Sequence, residues 1–291
     1  MTTLHETINP VKRKRRITVL ISGSGMYVPF YCPRGDQTAH QKTGSNLQAL
    51  LDASDTPRLP YAAITFVLSS RSNAYGLTRA STHKPPIPTS ICALKTFLNR
   101  NLGSKREYYD AEVARQVIDS RPDLVVLAGW MHIFSDAFLD IMNGFAQPPP
   151  APALPPPDPA SLPTQTESIP STSTRTSTPS DNLAQPPRTQ IFPIPCINLH
   201  PALPGAFDGA NAIASAYEAF RRGEIQKTGV MIHRVVREVD RGEPLVVREV
   251  EIREEDSLQD VEGRIHEMSL PLLYLRSGSL VELRLIIYLS L

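Results

Sequence analysis

The sequence is poor in cysteine and has no excess of charge of either sign. Its three cysteines, Cys32, Cys92 and Cys196, are far apart, and no Cys-x-x-Cys pair occurs. An odd number of separated cysteines predicts neither a disulfide framework nor a zinc site, and a reducing compartment is expected. The 291 residues include 30 Lys and Arg against 29 Asp and Glu, a net charge of +1. This balance gives no reason to expect a nucleic-acid or membrane partner.

Long apolar runs are missing at both ends of the sequence. The first residues are polar and then basic, with VKRKRR at residues 11–16, so no secretory signal is expected. We interpret residues 1–16 as a basic, disordered tail. The last nine residues, LRLIIYLSL, are apolar but too short to span a bilayer. A cytoplasmic protein is therefore expected.

Motifs for covalent or metal-assisted catalysis are also absent from the sequence. There is no Gly-x-Ser-x-Gly motif, and no cysteine is well placed to act as a nucleophile. His233 has no second histidine at an HxH or HExxH spacing, so no metal is expected. An enzyme with this sequence would transfer a group directly between two bound small-molecule substrates.

Proline, in contrast, is abundant, with 28 residues, many of them in one segment. Residues 147–190 are rich in Pro, Ser and Thr and contain almost no large apolar side chains. Such a segment cannot bury a core, which predicts a disordered linker inserted into the domain. We favour a tolerated insertion; the alternative is weak docking of a protein partner through this Pro-rich segment.

Outside this segment, strand-like and helix-like stretches alternate. Residues 17–20 and 63–70 predict strands, and 123–131 form a continuous apolar run typical of a central parallel strand. Residues 106–120 predict an amphipathic helix. Its apolar face would carry Tyr109, Val113, Val117 and Ile118. The alternation predicts an α/β fold of the Rossmann type, with a doubly wound, mostly parallel sheet in a single domain over residues 17–268.

The loop after the first strand is interrupted. It reads SGSGMYVPFY over residues 22–31, and Ser-Gly-x-Gly after a strand usually leads into a helix whose free N–H groups bind a phosphate. Pro29 and Pro33 remove backbone donors, so the helix is predicted only later, over residues 44–53. We therefore interpret residues 26–44 as an insertion into the strand–loop–helix unit.

The stretch INLHPALPG carries the strongest candidates for chemistry. Asn198 and His200 are two residues apart on a predicted strand, so their side chains point to the same side. An amide donor and an imidazole at the carboxyl end of a strand lie where open α/β sheets bind ligands. Asp240 lies in a Val-Asp-Arg-Gly turn between two predicted strands. Two interpretations stay open at this point: a carboxylate that reaches back to His200, or ordinary turn chemistry, in which Asp-x-Gly is common.

Several motifs together resemble the phosphoribosylglycinamide formyltransferases, a branch of the folate-dependent formyltransferase family. In order, they are ITVLISGSG, SNLQAL, SSRSNAYGLTRA, REYYDAEV, DLVVLAGWMHIF, INLHPALPG and VDRGEPLV. The resemblance covers residues 17–25, 45–145 and 194–268. It implies transfer of the formyl group of the co-substrate 10-formyltetrahydrofolate to the glycinamide amine of phosphoribosylglycinamide, a one-carbon transfer in purine biosynthesis.

The resemblance also implies roles for individual residues. Asn198 and His200 would stabilise the tetrahedral oxyanion, and Asp240 would raise the pKa of the imidazole by its charge. The phosphate of phosphoribosylglycinamide would bind at Gly25, Ser45 and Asn46. The folate would contact Arg106, Met131, His132, Ile133, Phe134 and Asn198, with the turn around Asp240 lining the same pocket.

Two departures from the family pattern stand out. Without residues 26–44 the sequence would read SGSGSNLQAL, an uninterrupted family loop. We therefore interpret residues 26–44 as a retained intron or gene-model error. The alternative is a genuine surface loop. Residues 269–291 form an atypical tail in which Pro271 is predicted to break the last helix.

Other functions are also compatible with parts of the pattern. A formyltetrahydrofolate hydrolase would use the same three residues with water as acceptor. A catalytically defective scaffold would follow if the interrupted loop no longer binds phosphate. Methionyl-tRNA formyltransferases lack the Ser-Gly-x-Gly-Ser-Asn loop, and a dehydrogenase is disfavoured because the loop is not GxGxxG.

Overall fold

The computed structural model describes residues 13–23, 45–54, 56–57, 59–151, 189–209 and 211–273 of the chain. The strands are β1 Arg15–Ile21, β2 Ala62–Ser69, β3 Thr89–Ile91, β4 Leu124–Leu127, β5 Cys196–His200, β6 Lys227–Arg234 and β7 Pro244–Glu251. The helices are α1 Ser45–Ala53, α2 Tyr75–Thr82, α3 Leu94–Arg100, α4 Arg106–Asp119, α5 Asp136–Met142, α6 Ala212–Arg221 and α7 Leu258–Leu273.

The strands form one sheet in the order β3-β2-β1-β4-β5-β6-β7. The first five of these are mutually parallel, and β6 is antiparallel to both β5 and β7. The chain runs outward from β1 to β3 and then returns to the other side of β1 with β4. The predicted doubly wound, mostly parallel sheet is confirmed. The order in which the chain adds strands reverses between β1 and β4. In open α/β sheets, ligands bind in the crevice that such a reversal leaves at the carboxyl ends of the strands.

Both faces of the sheet are covered, which explains the nearly continuous apolar strands. On one face, Val19 and Ile21 of β1 pack with Leu50 of α1. On the other face, Leu20 packs with Val113 of α4. The predicted apolar face of α4 is confirmed: Tyr109, Val113 and Val117 are buried, and Ile118 packs against the same cluster.

The first strand begins two residues earlier than the sequence predicted, because the basic run before it is neutralised. Asp123, at the amino end of β4, accepts two hydrogen bonds from the guanidinium of Arg13, at 2.7 and 2.6 Å. It also accepts the backbone N–H of Arg16 at 2.7 Å. Arg15 and Arg16 are therefore part of β1 rather than of a tail.

The last helix extends further than predicted. Pro271 was expected to break it, but α7 continues to Leu273, so this prediction was wrong. A proline lacks the N–H that would bond to the preceding turn, but only two helical residues follow Pro271. One turn earlier, the hydroxyl of Ser269 donates to the carbonyl of Ile265 at 2.7 Å. Residues 274–291 of the predicted tail lie outside the described residues.

Both ends of the Pro-rich segment lie at the amino-terminal edge of β4 and β5. The side-chain amide of Gln190 donates to the carbonyl of Pro122 at 3.0 Å, just before β4. The backbone N–H of Ile194 donates to the carbonyl of Met142 at 2.8 Å, at the end of α5. The segment thus leaves and rejoins the domain at the edge opposite the crevice. The predicted insertion at 26–44, and residues 152–188 of the linker predicted over 147–190, lie outside the described residues.

Candidate active site

β5 brings Asn198 and His200 to the carboxyl edge of the sheet. Asn198 is paired with Leu127 of β4 on one side and with His233 of β6 on the other. His200 is the last residue of the strand, before Pro201, and is only 3% exposed. Because side chains alternate along a strand, the amide and the imidazole share one side of the sheet, as predicted.

Asp240 lies in the turn between β6 and β7 and contacts both predicted partners. Its Oδ2 atom is 3.3 Å from Nδ1 of His200, and its Oδ1 atom accepts a hydrogen bond from Nδ2 of Asn198 at 3.2 Å. The backbone of Asp240 is left-handed, with φ of 54°. The turn is tight because Gly242 packs directly on the carbonyl of Arg234, which leaves no room for a Cβ. The structure therefore brings Asn198, His200 and Asp240 together.

His233 is a fourth member of this cluster that the sequence did not reveal as a site residue. It is 2% exposed, and its Nε2 atom lies 3.2 Å from Nδ2 of Asn198 and 3.3 Å from Oδ1 of Asp240. Its Nδ1 atom is 2.8 Å from the carbonyl of Arg234, which can only accept, so Nδ1 carries a proton. Nε2 then accepts from the amide when the ring is neutral and donates to the carboxylate when the ring is charged.

Burial and charge act in opposite directions on these groups. Burial lowers the pKa of His200, and the neighbouring His233 lowers it further, although the charge of Asp240 raises it. The family resemblance implied that the charge of Asp240 raises the pKa of the imidazole; the carboxylate acts in that direction, but burial outweighs it. For Asp240 itself, burial raises the pKa. Hydrogen bonds from His233 and from the N–H of Gly209 outweigh this effect and hold the pKa below its ordinary value.

The hydrogen-bond donors of the cluster are satisfied internally. Nε2 of His200 is 3.2 Å from the carbonyl of Phe207, which accepts its hydrogen bond. Nδ2 of Asn198 is engaged by Asp240 and His233. A substrate oxygen bound here would replace the carbonyl of Phe207, which belongs to a loop, more readily than it would replace side chains held by strands.

The predicted phosphate-binding residues are only partly described. Gly25 lies outside the described residues, and Ser45 is the first residue of α1. The Oδ1 atom of Asn46 is buried and has no hydrogen-bond partner among the described residues. Gly23, the last described residue before Ser45, has φ of 64°. A Cβ at this position would lie 2.5 Å from the Cβ of Ala74. Glycine is therefore required where the first loop leaves the sheet.

A buried hydroxyl joins three strand ends next to this loop. The Oγ atom of Ser22 accepts hydrogen bonds from the hydroxyl of Ser70 at 2.9 Å and from the N–H of Met131 at 2.8 Å. The N–H of Ser22 donates to the carbonyl of Gly129 at 3.0 Å. The segments that follow β1, β2 and β4 are thus fixed relative to one another.

The residues predicted to contact folate form a half-open wall beside the cluster. Met131 and Ile133 are 54% and 63% exposed, and Arg106 donates to the carbonyl of Ile133 at 2.9 Å. Burial lowers the pKa of His132, and the charge of Arg106 lowers it further. The ring of Phe134 is buried and stacks on that of Phe138, with 3.6 Å between the centroids, so this side chain is part of the core.

Arg106 is itself held by a buried carboxylate. Its Nε atom donates to Asp110 at 3.0 Å, and Asp110 also accepts the N–H of Ser135 at 3.0 Å. Ser135 is the N-cap residue of α5, and its side chain makes no capping hydrogen bond. In the described part of the chain, no three His, Cys, Asp or Glu side chains are grouped to hold a metal ion, and no helix is long and apolar enough to cross a membrane.

Comparison with protein families gives one assignment. The formyl transferase family model matches residues 38–146 and 183–275, which together exceed half of the chain. The two matched segments include α1, the strands β4 and β5, and the β6–β7 hairpin with Asp240.

Curated relatives point to the same chemistry. A phosphoribosylglycinamide formyltransferase of Schizosaccharomyces pombe is 39% identical over 227 residues, covering 77% of this chain and 86% of the relative. The enzyme of the same name from Saccharomyces cerevisiae is 32% identical over 263 residues, covering 87% and 90%. Among solved structures, glycinamide ribonucleotide transformylase 1 of Symbiobacterium toebii has a TM-score of 0.58 and 22% identity, covering 94% of this chain and 88% of that one. This last likeness concerns the fold alone.

Proposed function

Because this chain belongs to the formyl transferase family, we propose that it transfers the formyl group of 10-formyltetrahydrofolate to the amine of phosphoribosylglycinamide, in purine biosynthesis. The observation that carries the proposal is the contact of Asp240 with both Asn198 and His200 at the crevice. The acceptor comes from the names of relatives that align with most of the chain. The comparisons support an enzyme of formyl transfer; a cytoplasmic location stays a prediction.

The catalytic roles follow from which atoms can donate. When the amine attacks the formyl carbon, its nitrogen forms a new bond and the formyl oxygen gains negative charge. Nδ2 of Asn198 and Nε2 of His200 would donate hydrogen bonds to that oxygen, and such donors act most strongly in a buried site. Breakage of the bond to the folate nitrogen then requires a proton there, which the attacking amine must lose.

Asp240 would hold the imidazole for this task. When the ring is charged, Nδ1 donates to the carboxylate of Asp240, which stabilises the charge and orients the ring so that Nε2 faces the reacting oxygen. Asp240 is suited to this role because its own pKa is held low, so it stays ionised. His233 would hold the side chains of Asn198 and Asp240 in position, since its Nε2 atom lies within 3.3 Å of both.

The two substrates would occupy opposite sides of the cluster. The exposed apolar side chains of Met131 and Ile133 fit the flat ring of a folate, and Arg106 next to them fits an acidic group. The phosphate would bind at the start of α1, near Gly25, Ser45 and Asn46, where helix N–H groups are free to donate. These assignments follow from the family pattern and from the position of the described residues.

Formyl transfer can be measured directly on the full chain. Deformylated folate is followed spectroscopically, with and without phosphoribosylglycinamide. His200→Ala is expected to lower kcat about 10²- to 10⁴-fold, because it removes an oxyanion donor and proton carrier. The matched control is His83→Ala, since His83 is only half-buried and its ring hydrogen-bonds to the nearby carbonyl of Pro85.

The same assay separates the alternatives. Folate release that does not depend on the amine, with formate as product, would identify a hydrolase. A folded chain without activity, which becomes active when residues 26–44 are removed, would show that the insertion blocks the phosphate loop. If neither chain transfers formyl groups, the proposed function is wrong and a scaffold role takes its place.

A further inference from the structure

The loop segment from Gly205 to Gly209 covers the catalytic cluster, and three successive residues of it are held. The carbonyl of Phe207 accepts from Nε2 of His200 at 3.2 Å. The N–H of Gly209 donates to Oδ2 of Asp240 at 2.8 Å. Asp208, between them, bonds to neither catalytic residue. Asp208 instead forms an ion pair with Arg241, the residue that follows Asp240 in the chain.

The ion pair between Arg241 and Asp208 is short. The Nε atom of Arg241 donates to Oδ2 of Asp208 at 2.8 Å, and its Nη2 atom lies 2.6 Å from the same oxygen. The side chains of Arg241 and Asp208 are 55% and 28% exposed, so water reaches the guanidinium more than the carboxylate. The turn that carries Asp240 and the segment that covers it are thus joined twice, by adjacent residues on each side.

The backbone on both sides needs such support. Phe207 and Asp240 have φ values of 52° and 54°, in the left-handed region that side chains with a Cβ rarely adopt. Gly205 and Gly209 flank Phe207 with φ values of 78° and 83°. Residues in this region persist only where surrounding contacts determine their conformation. Among the described residues, the Arg241–Asp208 ion pair joins these two stretches of backbone through side chains outside the catalytic cluster.

We propose that Arg241 and Asp208 are a positioning pair, which holds the covering segment on His200 and Asp240 in the geometry that formyl transfer needs. The inference rests on the proposed function of this site. Without the ion pair, the N–H of Gly209 would no longer be fixed on Asp240, and the carboxylate would lose one of its donors. Small displacements of positioned groups cost large factors in rate, so the loss should appear in kcat rather than in KM.

The test compares Arg241→Met and Asp208→Asn with the double exchange Arg241→Asp/Asp208→Arg in the full chain. A matched control is Arg222→Met, which breaks a surface pair of similar geometry, Nε of Arg222 to Oε1 of Glu224 at 2.6 Å, at the end of α6. We expect each single variant to lower kcat about tenfold, with KM for phosphoribosylglycinamide changed less than about threefold. The unfolding midpoint should match that of the control, and the double exchange should recover part of kcat.

Three results would overturn the inference. The first is kcat within about twofold of wild type in both single variants, and the second is a rise in kcat. The third is a loss of kcat that follows a lower unfolding midpoint and is not recovered by the double exchange, which would make the pair merely structural. The proposed function is tested separately, by formyl transfer of the wild-type chain that His200→Ala abolishes. If that activity is present, any of these three results overturns the positioning pair alone.

Discussion

Nδ1 of His200 lies 3.3 Å from Oδ2 of Asp240, and the two side chains are only 4% and 9% exposed. The carboxylate has donors on both oxygens: the amide of Asn198 on one and the N–H of Gly209 on the other. A charge buried in this way is costly unless it is hydrogen-bonded, and here it is. The contact links the last residue of β5 to a turn forty residues later.

Replacing the carboxylate tests this contact. In Asp240→Asn we expect kcat/KM for formyl transfer to fall about 10²- to 10³-fold, because the imidazole is no longer oriented and its charged form is no longer stabilised. The pKa of His200 should fall further below its ordinary value, since the charge of Asp240 is one of the causes that raise it. NMR titration of the imidazole measures the pKa. An unchanged or higher pKa in the variant would contradict the assignment.

Stability should depend on pH through the same pair. Because burial lowers the pKa of His200 in the fold, the unfolded chain takes up a proton first as the pH falls below about 6.5, and stability is lost. Asp240 has a lowered pKa, so its contribution is present above about pH 3.9 and is lost only in stronger acid. Urea unfolding at pH 7.5 and 5.5 should therefore show a smaller loss in His200→Asn than in wild type. Equal losses would rule out the histidine as the source.

His233 should matter although it is not one of the three residues predicted from the sequence. In His233→Phe, the amide of Asn198 and the carboxylate of Asp240 each lose a buried partner, at a cost of about 1–3 kcal/mol in stability. We expect kcat to fall about 10- to 100-fold, because the oxyanion donor is no longer fixed. Kinetics and urea unfolding measure the two effects. His83→Phe, at a half-buried position outside the cluster, is the control. A variant of His233 with wild-type kcat would show that the strand alone positions Asn198.

The Pro-rich segment should be dispensable for formyl transfer. Replacing residues 152–188 by about six Gly and Ser residues should leave kcat within about twofold of wild type, because both flanks are held at the amino-terminal edge of the sheet. Steady-state kinetics of the shortened chain measure this directly. A large fall in kcat without a change in unfolding would mean that the segment acts at the crevice. Its use as a docking segment stays a separate prediction.

Local patterns in the sequence predicted much of the fold. The apolar run at 123–131 contains the central strand β4, which is shorter than predicted and ends at Leu127. The helical spacing of Tyr109, Val113 and Val117 predicted the buried face of α4. The hydroxyl of Ser257, just before α7 begins, accepts the N–H of Asp260 at 3.3 Å, as is common for a serine at this position. These features depend on neighbours within one or two turns, so they can be read from the sequence alone.

What the sequence did not reveal depends on pairing over long distances. His233 joins the site because β6 runs antiparallel to β5 in a register that places it opposite Asn198. Asp208 and Arg241 meet because two loops fold onto the same cluster. The contact of Asp240 with His200 followed only from the family resemblance. The net pKa of His200 needed the extent of burial, which no motif contains.

One oxygen atom sets a limit on how this site can change. Ser22 Oγ accepts from Ser70 and from the N–H of Met131, so the side proposed for phosphate and the side proposed for folate share a single reference point. A substitution that improves the fit of one substrate by moving its strand end must displace this hydroxyl, and with it the wall that receives the other. Under the proposed function, changes in specificity for one substrate that move these strand ends would therefore also affect the other substrate.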